Sequence, residues 1–379
     1  MGNEDFIYLD YNATTPVDSR VLDEMMPFLT SSFANPASSH SAGRKIKDSI
    51  ERARTQVADL IGASGKEIIF TSGATESINL AIKGVFENST STKNHLITLS
   101  TEHKAVLDTC KYLESKGVEI TYLFVDSEGL IDLNLLEASI KEHTKLISVM
   151  FVNNETGIIQ PIKEIGALAK KYEILFFSDA TQAAGKIEID VQELGIDYLS
   201  ISGHKIYGPK GIGALYANRK NKQVRLTPQL HGGGHENGLR SGTLNTPGII
   251  GLGKACEIAK GDLNHNYQKE IGILRDKLEN ELLTLPLTKV NGNKENRVFN
   301  TVNLCFQGQD ASVLIERLKN IAVSTGSACS SSLIEPSHVL KAMGLSDEDS
   351  FASIRFSLGK LSTINEINIA LDRIKMILN

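Results

Sequence analysis

The 379-residue chain carries 40 Lys and Arg against 45 Asp and Glu, a net charge of −5, and has the composition of an ordinary globular protein. The length exceeds one usual hydrophobic core and predicts two domains, while the mild charge and lack of a long basic run argue against nucleic acid or an anionic membrane as a primary ligand. An acidic start (Met1-Gly2-Asn3-Glu4-Asp5-Phe6), no stretch apolar enough to span a bilayer, and four scattered cysteines without a Cys-x-x-Cys pair predict a cytosolic protein with reduced thiols and neither a disulfide framework nor a zinc site.

Residues 8–18 begin as a short strand and break into a polar turn, and a second polar turn follows at Asn35-Pro36-Ala37-Ser38-Ser39-His40. Ile46, Ile50, Ala53, Val57 and Leu60 then recur at helical spacing, with Gly62 as the stop. From there strands at 67–71, 95–100, 119–125, 145–152 and 174–178 alternate with helices at 75–87, 104–116, 132–141 and 163–172. Such alternation predicts a mostly parallel sheet covered on both faces, with ligands bound beyond the strands' C-terminal ends. After residue 245 the pattern changes to helices at 247–260 and 264–284, which lead into an α+β unit. That unit has strands at 298–304 and 353–358 and helices at 309–319 and 364–378.

Tyr198-Leu199-Ser200-Ile201 and Ile212-Gly213-Ala214-Leu215-Tyr216 read as strands, which puts Lys205 on the turn between them. Glycines, hydroxyls and His204 crowd that turn, a setting in which an amine is available for Schiff-base chemistry. Taken alone the plainer reading, a solvated surface lysine, is favoured. Four upstream strand ends change the balance. Thr71-Ser72-Gly73-Ala74-Thr75-Glu76 opens a helix and offers a phosphate cradle. Thr101-Glu102-His103-Lys104 supplies an imidazole, Asn153-Asn154-Glu155 an amide, and Asp179-Ala180-Thr181-Gln182 a carboxylate. Singly these are an ordinary glycine turn, a structural histidine and a helix cap. At one sheet edge they make the set that pyridoxal 5′-phosphate (PLP) requires.

On these motifs, with Arg240-Ser241-Gly242-Thr243 and Ser324-Thr325-Gly326-Ser327-Ala328-Cys329, the chain resembles the NifS/IscS-type cysteine desulfurases of the class V aminotransferase group over nearly its whole length. The resemblance implies an α/β, fold-type I PLP-dependent transferase. A large PLP-binding domain spans 16–261, and a smaller α+β domain at 262–379 carries the catalytic cysteine, with residues 1–15 packing on the latter. It implies that Lys205 holds PLP, His103 stacks on the ring, Asp179 pairs with the pyridine nitrogen, and Asn154 and Gln182 meet the phenolic oxygen. Ala74, Thr75, Ser202 and His204 would hold the phosphate, with Thr243 reaching in from a second subunit of a homodimer. Asn154 and Arg355 would contact the L-cysteine substrate, a guanidinium fork suiting its carboxylate. Cys329 would accept sulfur as a persulfide, and Lys205 and His103 would move protons.

Two local motifs point elsewhere. His231-Gly232-Gly233-Gly234 resembles an esterase oxyanion loop, but no Gly-x-Ser-x-Gly elbow accompanies it. His231 and His235 are spaced like zinc ligands on a helix, yet three glycines between them oppose a helix, so no metal is expected. Cys110 and Cys256 fall in helical patterns and Cys305 in a strand pattern, whereas Cys329 lies among small polar residues before the helix that Pro336 opens. The chain ends at Asn379 without the extension by which IscS-like members dock their iron–sulfur scaffold, so the sulfur acceptor stays open. A selenocysteine lyase, another class V aminotransferase and a non-catalytic sulfur carrier are the alternatives.

Overall fold

The computed structural model describes residues 6–87, 93–263, 266–325 and 335–378. After a two-residue strand, β1 (Ile7–Tyr8), the chain places seven strands in one sheet. They are β2 (Ile68–Thr71), β3 (His95–Leu99), β4 (Glu119–Leu123), β5 (Thr144–Ser148), β6 (Leu175–Asp179), β7 (Tyr198–Ser202) and β8 (Gly213–Ala217). Their order is β2-β8-β7-β6-β5-β3-β4. Only β8 runs against its neighbours, so the sheet is mostly parallel, as predicted.

Alternation along each strand divides the core between the two faces of the sheet. Ile97, Ile147, Phe176 and Leu199 pack with α2 (Ser41–Leu60), α6 (Ile162–Lys171) and α7 (Thr246–Leu263), the last of which also packs against α1 (Ser19–Thr30). The next residue of each strand belongs to the other face or to polar contacts. Leu96, Leu146, Leu175 and Phe177 pack with α3 (Ala74–Glu87) and α4 (Lys104–Glu114). A short α5 (Leu133–Ala138) crosses before β5.

Beyond α7 come α8 (Tyr267–Leu282), β9 (Thr288–Val290), β10 (Thr301–Phe306), α9 (Ala311–Leu318), β11 (Ile321–Ala322), α10 (His338–Ala342), α11 (Asp347–Phe351), β12 (Ser353–Ser357) and α12 (Ile364–Leu378). An antiparallel β12-β10-β9 sheet supports a separate core that includes Ile271, Val302, Leu304, Phe356 and Ile374. Ile7 and Leu9 join that core, because β1 pairs in parallel with β11.

The structure departs from the sequence expectation in three places. The apolar run to Val152 continues past β5, but from Val149 the main chain bonds instead to Phe177 and Asp179 carbonyls and bends toward a turn at Asn153–Gly157. The strand predicted from 298 starts at Thr301, because Val298 bonds to Gly157 O and the Asn300 amide to Leu358 O. The segment after Asp18, to which the sequence reading assigned no element, is helix α1. It is capped by Asp18 and contains Pro27; Val21 is buried, and Met25 and Phe28 pack on the same core at helical spacing, a signal the sequence reading passed over.

Candidate active site

Because β2, β3, β5, β6 and β7 point the same way, the segments that follow them meet along one edge of the sheet. Lys205 ends a single 3₁₀ turn, Gly203–Lys205, directly after β7. Its Nζ donates to the carbonyl oxygens of Asn12 and Ala13, each at 2.7 Å. Two residues on, Tyr207 has φ +62°, a left-handed backbone that a bulky side chain adopts only when held. Here its N–H donates to Thr15 Oγ1 at 2.9 Å, its carbonyl accepts from Asp18 N at 3.0 Å, and its hydroxyl accepts from Lys360 N at 2.7 Å. The turn that presents Lys205 is thereby fixed from both the N-terminal segment and the start of α12's approach.

Asp179 closes β6 and is buried. Its Oδ1 accepts from Ser200 Oγ at 2.8 Å and Thr181 N at 3.0 Å, as well as from Thr181 Oγ1, while Oδ2 accepts no hydrogen bond among the described residues. Glu102, fully buried nearby, accepts from Met150 N at 2.6 Å, and its Oε2 has no hydrogen-bond partner among the described residues. Burial pushes its pKa well up; the Met150 bond opposes this and the neighbouring Asp179 adds to it. His103 caps α4, its Nδ1 accepting from Ala105 N at 3.1 Å, which puts a neutral ring's proton on Nε2. Withdrawal from bulk water lowers its pKa; Asp179 opposes this, and Lys205 and His338 reinforce it.

Gln182 donates from Nε2 to Asn12 O at 2.9 Å. Arg355, on β12, donates to Asn154 O at 2.9 Å and to Asp10 Oδ1 at 2.6 Å, and its Nε is buried without a partner among the described residues. The N-terminal turn thus ties the large sheet to the small one. Asn12 alone contacts Lys205, Gln182, Asn154, Thr301 and Ser357. Next to Lys205, His204 Nδ1 lies 3.1 Å from Thr14 Oγ1, and burial with Lys205 and Lys210 pulls its pKa to about 4.

The expected phosphate cradle is the start of α3. Gly73 has φ +153°, and Ala74 and Thr75 begin the helix, where backbone N–H groups lack intrahelical acceptors. Ser202 Oγ lies 3.9 Å from where a Cβ on Gly73 would stand, and a Cβ on Gly213 would come within 2.7 Å of Gly73 Cα, so β7, β8 and the cradle are in close contact. Burial raises the Glu76 carboxyl, but bonds from Arg240 and from Ser72 outweigh it and hold the carboxyl below its usual range. That pair fixes Arg240-Ser241-Gly242-Thr243 to the cradle. Thr243 itself is exposed. Cys329 lies outside the described residues, whereas Cys110, Cys256 and Cys305 are buried thiols whose pKa burial pushes up.

The donor set fits PLP by its own chemistry: an anion cradle at a helix start, a carboxylate oxygen kept for one N–H, an imidazole and a lysine. The class V aminotransferase family model matches residues 7–369. A cysteine desulfurase, IscS, of Rickettsia massiliae (strain Mtu5) is 50% identical over 370 residues, which are 97% of this chain and 90% of the relative. The chain belongs to the NifS/IscS-type cysteine desulfurases of the class V aminotransferase family. A solved NifS-like protein superposes with a TM-score of 0.92 at 41% identity over 99% of each chain. Another, titled SspA in complex with cysteine, gives 0.83 at 41% identity over 94% of this chain and all of that one. The family is one of PLP enzymes, and among the described residues no helix is long and apolar enough to cross a membrane.

For this cysteine desulfurase-type chain, sequence reasoning found the strand-end motifs but missed Asp10, Asn12, Glu102, Glu155, Lys186 and His338. The last four include buried titratable groups and their partners: Glu155 accepts from Ser337 Oγ, and His338 Nε2 donates to Glu102 O at 2.9 Å. A polar cluster directly after an apolar strand, Asp10-Tyr11-Asn12-Ala13-Thr14-Thr15, was the available signal for the N-terminal part.

Proposed function

We propose that this chain is a PLP-dependent L-cysteine desulfurase, in which L-cysteine and the Cys329 thiol yield L-alanine and a Cys329 persulfide. The observation that carries this reading is the convergence, at one sheet edge, of Lys205, His103 and an Asp179 oxygen that accepts no hydrogen bond among the described residues. When bound, PLP supplies an electron sink that lets the substrate Cα lose a proton. Lys205 attaches the cofactor and takes that proton, while Asp179 Oδ2 keeps the pyridine nitrogen protonated. Ala74, Thr75, Ser202 and His204 hold the phosphate, with Thr243 arriving from a second copy, and Asn154 and Gln182 face the phenolic oxygen. His103 would stack on the ring and transfer a proton at the substrate thiol. Arg355 retains N–H groups, Nε among them, with which to take the substrate carboxylate beside Asn154. Cys329 thiolate attacks the substrate sulfur, so the C–S bond breaks as the S–S bond forms. A division at 16–261 and 262–379, with 1–15 joining the latter, accords with the separate core that gathers Ile7 and Leu9. The protein would act in the cytoplasm, handing sulfur to an acceptor protein of cluster assembly or thiolation.

Mass spectrometry of protein treated with L-cysteine under non-reducing conditions tests the assignment. One added sulfur is expected on the Cys329 peptide, and Cys329→Ser is expected to bind L-cysteine yet release no alanine catalytically. Full turnover in Cys329→Ser, with persulfide on another cysteine, overturns it.

A further inference from the structure

A second lysine stands beside the site without a role in the reading above. Lys186 lies one turn after Gln182, on the segment that leaves β6, and lines the same cavity as Lys205, Tyr11, Tyr207 and Tyr267. Its stem is half-buried and its amine enclosed. The amine donates to Gln182 Oε1 at 2.7 Å and to Asn12 Oδ1 at 3.2 Å. Gln268 Nε2, from α8, donates to the Lys186 carbonyl at 3.0 Å and fixes its backbone.

The chemistry of these contacts determines the carboxamide orientation. An amine nitrogen in this position donates and a main-chain carbonyl only accepts. The end of Gln182 that faces Lys186 must therefore be Oε1, and the end that faces Asn12 O must be Nε2. Reversing the amide would oppose N–H to N–H at Lys186 and oxygen to oxygen at Asn12. One N–H of Nε2 serves Asn12 O, and the other stays available. Asn12 is oriented in the same way: its Oδ1 receives Lys186 and Asn300, and its Nδ2 donates to Asn154 O and Thr301 Oγ1.

Lys186 forms no ion pair among the described residues, so its use here is not as a counter-charge. Burial first, then Lys205 and Arg355, lower its pKa to about 7. Ammonium and neutral amine both carry at least two N–H groups, and two acceptors meet them, so both contacts survive deprotonation.

We propose that Lys186 is a positioning residue that locks the Gln182 carboxamide with an N–H toward the site, so that Gln182 meets the phenolic oxygen of bound PLP as a donor. This rests on the reading that PLP occupies the Lys205 edge. The test is a double-mutant cycle on purified holoprotein with K186M, Q182A and the pair, reading the absorbance maximum of bound PLP and its dissociation constant. K186M is expected to shift the maximum in the same direction as Q182A and to weaken PLP by about fivefold, the size of one neutral hydrogen bond. In the Q182A background K186M is expected to add nothing. K186R, still donor-only, is expected to stay near the parent spectrum. If K186M does not fold, K186Q, which is polar but too short to reach Gln182, runs the same cycle. A parent-like spectrum and affinity in K186M, or its full effect persisting in Q182A, overturns the proposal while leaving the PLP site intact. Folded parent protein that binds no PLP overturns the site reading and this proposal together.

Discussion

Asp179 divides its two oxygens: Oδ1 gathers Ser200 and Thr181, and Oδ2 is left for the site. Its carboxylate adds to burial in raising the pKa of neighbouring Glu102. A charge that counts mainly when electron density leaves the substrate Cα stabilises the transition state more than the bound ground state. Asp179→Asn keeps the shape and the Ser200 contact but removes that charge. The expected result is a loss of at least about a hundredfold in kcat with KM changed by less than about threefold. Steady-state alanine formation at saturating PLP checks it, and a change confined to KM contradicts it. Burial at Glu102 has a stability consequence of definite sign. A carboxyl raised in the folded state releases its proton less readily there than in the unfolded chain, so it lowers stability as pH rises from the unfolded carboxyl range toward its folded pKa.

At the scale of elements, loops after strands carry the site, and buried ion pairs pin them. Glu236 joins the glycine-rich 231–245 segment to α2 and β2. It pairs with Arg54 through two contacts, at 2.7 and 2.8 Å, and accepts from Phe70 N at 2.9 Å. With side chains 12% and 2% exposed, the pair is desolvated, and Glu236→Ala leaves Arg54, among the described residues, with just the exposed Glu51 carboxylate at 3.3 Å as counter-charge. A loss of roughly 3–5 kcal/mol in urea unfolding is expected, and a loss below about 1 kcal/mol, the level of a surface pair, contradicts the latch. Much of this architecture was legible in the sequence because apolar periods of two and 3.6 survive where strands and helices are buried. The strands from Ile68 to Ser202 and helices α2, α3 and α7 follow directly from that signal. α1 was passed over although Val21, Met25 and Phe28 recur at helical spacing, and β9 and β11 are too short to show a period. Lys205, Asp179 and His103 were legible because each ends or follows a strand. Asn12 and Lys186 were not, since their roles depend on which donor faces which acceptor across distant segments.

For the whole molecule, one chain leaves two features unfinished. Thr243 is exposed on a turn fixed by Arg240 to the cradle and, through His235 Nδ1, to Gly242 N at 3.3 Å. Nearby, α1 and the turn after it leave Leu22, Met26, Leu29 and Phe33 exposed, Phe33 by 79%, an apolar face of the kind a second copy covers. A homodimer closed by a two-fold axis would use both, each Thr243 completing the phosphate site of the other subunit. Complementation tests this. Lys205→Ala chains lack the amine but keep Thr243, and Thr243→Ala chains keep the amine but weaken the phosphate site. A heterodimer of the two has one site with both defects and one with neither. Activity is measured at a PLP concentration that saturates the parent but not Thr243→Ala. Mixing equal amounts is then expected to raise activity above the sum of the separate proteins, with about a quarter of all sites intact at random exchange. Subunit exchange is established independently by co-purification of differently tagged chains. Proven exchange with no gain in activity shows that each chain completes its own phosphate site, and removes Thr243 from the shared site.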